Sequence, residues 1–247
     1  MSKPNGLHHL AITTADIKRQ IEYFSTVLGM ELVALYWMHG VEGAWHAFLK
    51  LNDYASVAFV QTPEVGTIET TIGVTHSGNP GAPCAAGTMQ HLALNVDSEA
   101  ELLALRDRIR SCGINVIGPI DHGFCKSIYF AGLERLSLEI ATSAEAIDAR
   151  AWIDPEVVQL AGISAEELER YRRPAAPASR GGRVPQPPYD PAKPHMVWPP
   201  EQYRQLLSLP DDELARLMSQ PEPPVKLARG ERFGSYGPLL APSGSGD

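Results

Sequence analysis

The sequence predicts an α+β chain. It reads as two copies of one strand–helix–strand module followed by a proline-rich, partly helical extension. Three observations carry this. The segment His9-Leu10-Ala11-Ile12 recurs as His91-Leu92-Ala93-Leu94. Each copy is followed by apolar residues at helical spacing, a glycine, and then a further strand-like run. Residues 143–247 hold 16 of the 21 prolines, too many for a third copy of the same module.

The elements follow in order. After His9 and Asp16, Ile17, Ile21, Phe24 and Leu28 recur every three to four residues, which predicts a helix that Gly29 ends. Met30-Glu31-Leu32-Val33 resumes a strand, and Trp45–Leu51 and Ala55–Gln61 complete the first module. After His91 and Asp97, Leu102, Leu105 and Ile109 predict the second helix, with Gly113 as its stop. Ile114-Asn115-Val116-Ile117, Ser127–Phe130 and Leu136–Ala141 are the strands that follow. The modules span about residues 6–63 and 88–142, within a first domain of 1–142.

Strand alternation places the candidate chemistry. His9 and Ala11 share one face, His91, Ala93 and Asn95 another, and Ser137, Glu139 and Ala141 a third; the opposite faces are bulky and apolar. The apolar faces should pack under the helices, leaving room on the other side for a metal and a small ligand. Two imidazoles and one carboxylate are the ligand set of non-haem iron(II) oxygenases. They are also close to a catalytic zinc site, so the set does not name the metal.

These residues, with Gly6-Leu7-His8-His9-Leu10-Ala11-Ile12, Tyr23–Met30, Gln90–Leu94 and Leu138-Glu139-Ile140, resemble the vicinal oxygen chelate family of glyoxalases, bleomycin-resistance proteins and extradiol dioxygenases. The resemblance covers roughly residues 6–142. It implies paired βαβββ modules forming a half-open barrel, with His9, His91 and Glu139 as metal ligands. The type I extradiol dioxygenases are the most similar branch. Their pattern has a loop histidine ahead of the second metal histidine, and a histidine and a tyrosine ahead of the metal glutamate. His76, His122 and Tyr129 occupy such positions.

The implied activity is iron(II)-dependent cleavage of a catechol-like ring by dioxygen. His76 would be the general acid/base, its unperturbed pKa lying nearest neutrality. Tyr129 and His122 would donate hydrogen bonds to oxygen. In glyoxalase-type members a fourth ligand comes from the other module. Here that position falls near Ala58, which binds no metal, and Gln61 should point away from its face. Two rival readings remain. One is a glyoxalase- or epimerase-like isomerase or lyase using manganese, zinc, cobalt or nickel. The other is a metal-free binding or resistance protein, against which the ligand triad counts. The chain departs from the dioxygenase pattern in having one module pair rather than two. It also has Ala131-Gly132-Leu133-Glu134-Arg135 where an Asp-Pro-Asp-Gly turn is usual.

Other histidines receive structural readings. His8 should face away from His9. His39 and His46, in or near the second strand, could line the substrate mouth but are expected at the surface, and His195 has no assigned role. The net charge of −8 argues against nucleic acid as a partner. The expected partners are a small-molecule substrate, dioxygen and a second copy of the chain, with no membrane. Cys84, Cys112 and Cys125 form no paired spacing, so a reducing cytoplasm is the expected setting.

In the extension, Asp154-Pro155 reads as a helix start, and Ser164 with Glu167 as a capping box. Pro199–Leu209 and Asp211–Met218 read as short helices, Pro174–Pro194 as extended chain, and Tyr236–Asp247 as disordered. Such a tail should act as a lid, a dimer arm or a packing extension.

Overall fold

The computed structural model describes residues 3–176, 182–222 and 224. The first module runs β1 (His9–Thr13), α1 (Ile17–Thr26), β2 (Glu31–Trp37), β3 (Trp45–Asn52) and β4 (Ala55–Gln61). The second runs β5 (Leu92–Asn95), α2 (Glu99–Ser111), β6 (Val116–Asp121), β7 (Lys126–Ala131) and β8 (Ser137–Thr142). Their sheets have one topology, β1-β4-β3-β2 and β5-β8-β7-β6. In each, the first strand is parallel to the last and the other pairs are antiparallel. The α+β two-module architecture predicted from the repeat is the one observed.

Local chemistry sets the helix ends. Asp16 accepts from the Arg19 amide to cap α1, and Ser98 accepts from the Glu101 amide to cap α2. Gly29 follows α1 at φ +77°, a conformation costly for other residues, and the Arg108 guanidinium packs against it. The helices lay their apolar stripes on the bulky sheet faces. Phe24 of α1 is fully buried and meets Phe59 of β4 edge-on at 4.9 Å; Leu102 and Ile109 of α2 are equally buried. One core cluster draws on both modules.

Polar ties join the modules where the helices meet the opposite hairpin. Glu134 accepts from the Ala15 amide at 2.8 Å and the Gln20 side-chain amide at 2.7 Å. Tyr23 Oη donates to the Ala131 carbonyl at 2.6 Å, and Arg108 donates to the carbonyls of Val27 and Thr26.

Three boundaries differ from expectation. The second sheet's first strand begins at Leu92, so His91 stands just before it. β6 starts at Val116 and carries a register shift between Ile117 and Ile120, around Gly118. A short helix unmarked by periodicity, α3 (Ala149–Trp152), follows β8.

The chain divides into two compact units after Asp154, twelve residues past the expected module boundary at 142. The second unit holds α4 (Pro155–Leu160), α5 (Ala165–Arg172), α6 (Pro200–Ser208) and α7 (Asp211–Met218). The capping box read at Ser164 and Glu167 is formed. Within this unit His195 packs edge-on against Tyr189, which also meets Tyr203. The expectation for Tyr236–Asp247 lies outside the described residues, as do residues 177–181 of the stretch expected to be extended.

Candidate metal and oxygen-binding site

In the second module, β-sheet register puts Ala93, Glu139 and Tyr129 side by side across β5, β8 and β7. Adjacent residues in register share a face, so the carboxylate and the phenol stand over the same surface as small Ala93. His91 reaches that surface from the start of β5. Its Nε2 lies 2.9 Å from Glu139 Oε2, and Glu139 is only 6% exposed. A carboxylate this buried needs a partner, and the imidazole is that partner.

Tyr129 continues the chain of polar atoms. Its hydroxyl is 2.9 Å from His122 Nε2. Burial first, and then the Glu139 carboxylate, push the phenol pKa up against an opposing hydrogen bond with Ser127, so Tyr129 keeps its proton near neutral pH. His122 sits in a tight turn closed by its amide donating to Cys125 O and by Gly123 N donating to Asp121 Oδ1. Trp152 of α3 packs edge-on against Phe124 at 4.9 Å and fills the space a Cβ on Gly123 would need. No pattern in the sequence marks Trp152 as part of this turn.

Gln90 is a second group to which the sequence assigned no role, although it lies in the motif around His91. Its amide oxygen is hydrogen-bonded to His91 Nδ1. An amide oxygen only accepts, so Nδ1 donates to it, and Nε2 is left facing the Glu139 carboxylate, where a proton or a cation must lie between them. The one available signal is its place next to His91 in the repeat, where the first module has His8.

The first module presents different chemistry. Ala58 occupies the position equivalent to Glu139, since Ala11 pairs with Ala58 as Ala93 pairs with Glu139. Gln61 does not face the site: its Oε1 accepts from the Ile17 amide at 2.8 Å and so helps to start α1. His9 is exposed on edge strand β1, with its ring near Phe48 and His46. Its Nδ1 is 2.9 Å from that of His8, so His8 bends toward it rather than facing away.

His46 also departs from expectation. It lies on β3, not at the surface, and is 9% exposed. Its Nδ1 lies 3.4 Å from the Tyr36 hydroxyl, while Nε2 is buried without a hydrogen-bond partner. Burial, and next the neighbouring His9, lower its pKa, so the ring is neutral at pH 7.

The structure thus brings together His91, Glu139, Tyr129 and His122, while His9 makes its ring contacts with His8, His46 and Phe48 and His76 bonds Thr75. Among the described residues, no group of three His, Cys, Asp or Glu side chains could hold a metal ion. His76 lies in the connection between modules, where its Nδ1 is 2.9 Å from Thr75 Oγ1. All three cysteines are free. Among the described residues, no helix is long and apolar enough to cross a membrane.

A family model described as the glyoxalase/bleomycin resistance protein/dioxygenase superfamily matches residues 6–141. No curated protein matches the chain. Among solved structures, a glyoxylase/bleomycin resistance protein/dioxygenase domain from Frankia sp. EAN1pec is 14% identical, with 57% of this chain and 99% of that one covered at TM-score 0.45. A lactoylglutathione lyase from Agrobacterium tumefaciens is 17% identical, covering 57% and 96% at TM-score 0.40. A genomically encoded fosfomycin resistance protein from Listeria monocytogenes is 17% identical, covering 57% and 96% at TM-score 0.39.

Proposed function

Because the chain belongs to the glyoxalase/bleomycin resistance protein/dioxygenase superfamily, we propose that it is an iron(II)-dependent extradiol-type dioxygenase acting on a catechol-like ring, with His9, His91 and Glu139 as metal ligands. The observation that carries this reading is the line of polar groups from His91 through Glu139 and Tyr129 to His122 on one sheet face. A resistance protein that binds its ligand without a metal has no evident use for a buried carboxylate against an imidazole fixed in its ligating tautomer. The donor set of imidazole nitrogen and carboxylate oxygen fits a divalent ion.

A ferrous ion held by His9, His91 and Glu139 would supply coordination positions for substrate and dioxygen and a path for electrons between them. The chain's own groups handle protons and orientation. Tyr129, held protonated, donates a hydrogen bond to a substrate oxygen while His122 Nε2 fixes the direction of its hydroxyl. His76, on the loop tied to Gln90 through the neighbouring Ser77, would be the acid/base that takes the catechol proton and returns one to oxygen. Gln61 is occupied at the start of α1, which counts against a glyoxalase-type fourth ligand from that residue.

On this reading the third ligand would come from a second copy of the chain. His9 stands on edge strand β1 of one sheet, while His91 and Glu139 stand at β5 and β8 of the other. A twofold pair of chains, the commonest assembly, that set β1 of each copy beside β5 of its partner would build two such sites.

Two measurements test this. Anaerobic loading with iron(II), followed by dioxygen uptake with a panel of catechols, should give metal-dependent uptake; turnover of a hemithioacetal or thioester instead would overturn the dioxygenase reading. His9→Ala and His91→Ala should each be inactive alone. Mixed in equal amounts after dissociation, they should regain about a quarter of wild-type activity, since half of the randomly formed pairs carry one intact site of two. No recovery would place all three ligands within one chain.

A further inference from the structure

Gln90 does more than orient His91. Its side-chain amide nitrogen donates to the carbonyls of Asn79 and Ala82, each at 3.2 Å. Its backbone carbonyl accepts from Ser77 Oγ at 2.5 Å, and Ser77 is 2% exposed. One residue therefore holds the inter-module loop at three points, at Ser77, Asn79 and Ala82. The same side chain bonds the imidazole of His91. His76 is the neighbour of the first of those points.

The loop has its own internal order. Gly73 N donates to His76 O, Ala85 N donates to Val74 O, and Thr75 Oγ1 both accepts from Thr71 N and lies 2.9 Å from His76 Nδ1. It is a folded turn that closes on itself. Among the described residues, hydrogen bonds between its segment 77–82 and the start of β5 all pass through Gln90.

We propose that Gln90 is a positioning residue that couples metal occupancy at His91 to the order of the loop carrying His76. The proposal rests on the metal-site reading above. An amide has two ends with opposite hydrogen-bonding character, and here each is committed. The oxygen accepts from Nδ1–H, which fixes the ring plane and tautomer that a metal ligand needs. The nitrogen donates to the loop. A metal that pulls on the imidazole steadies the oxygen end, and a steadied amide plane holds its N–H groups on the two carbonyls. By linkage the loop returns the same factor to the metal.

Two near-isosteric substitutions separate the two ends. Gln90→Glu keeps an acceptor for His91 and loses both donors to the loop. Gln90→Met loses both functions and keeps the length of the side chain. Each is compared with the wild type in two assays that need no turnover: titration with cobalt(II) followed by visible absorption, and amide hydrogen exchange of residues 76–88 with and without the metal.

In the wild type, cobalt(II) should slow exchange across 76–88. In Gln90→Met, cobalt(II) affinity should fall by about 10- to 100-fold, the range for lost outer-shell partners of metal histidines, and the loop should exchange faster with or without metal. In Gln90→Glu the affinity should fall only by the factor the loop returns, less than in Gln90→Met, and cobalt(II) should no longer slow loop exchange.

Metal-dependent protection of the loop that persists in Gln90→Glu would overturn the coupling. So would a Gln90→Met protein with wild-type affinity. A wild-type protein that binds no cobalt(II) would instead overturn the metal-site reading, and the coupling with it. If Gln90→Met fails to fold, Ser77→Ala serves, because it frees the loop from the Gln90 carbonyl and leaves the His91 acceptor intact. It should speed exchange at 76–78 in the metal-free protein; unchanged exchange would overturn the tether.

Discussion

Tyr23 shows how a single side chain joins two modules. Its hydroxyl donates to Ala131 O across more than a hundred residues of sequence, and burial, with Cys112 next, pushes its pKa up from 10.0 to about 12. The sign follows from the raised value. The protonated phenol is the form that folding favours, so its contribution is complete below about pH 10 and is lost as pH rises through about 12. Tyr23→Phe should cost about 1 kcal/mol in urea unfolding at pH 7, the usual net value of one hydrogen bond. It should also remove the latest-titrating phenol from the ultraviolet pH titration. His46 makes the opposite case. Its Nε2 is buried and unpartnered, a state that costs about 1–3 kcal/mol. His46→Phe should therefore match or exceed the wild-type unfolding midpoint, and a loss of more than about 1 kcal/mol would mean that Nε2 has a partner.

At the scale of elements, most of the fold was legible because it rests on periodicity. Alternation marked the strands, three-to-four spacing marked α1 and α2, and Gly29 and Gly113 marked their ends, since both adopt positive φ. The capping box at Ser164 was readable for the same local reason. What escaped was set by contacts distant in sequence. α3 has four residues, too few for a period, and its Trp152 matters through Phe124 and Gly123. Gln61 looked like a stray polar residue near a site, but its partner is an amide 44 positions earlier. The turn at Glu134 is a similar case. Glu134 adopts φ 51° and links the β7–β8 connection to the start of α1 through Ala15 and Gln20. Glu134→Ala should lower stability by about 2 kcal/mol, the scale of hydrogen bonds to a charged acceptor, with an unchanged urea slope. A changed slope would point to loss of compactness in one of the two states.

At the scale of the whole molecule, the candidate site was legible by composition and not by assembly. The repeat identified His9 and His91, and the distance to Glu139 in sequence matched a last strand. Those features fix which face each residue occupies. They say nothing about which sheets meet, because edge pairing depends on the packing of whole modules. The division of donors between two sheets, with His9 on one edge and His91 with Glu139 on the other, has a thermodynamic consequence on the two-copy reading. Self-association and metal uptake become one equilibrium. Dilution should then strip the ion from a protein that holds it well when concentrated, and a strong chelator should drive the pair apart without unfolding either chain. The abundance of the protein would itself set how much of it is loaded.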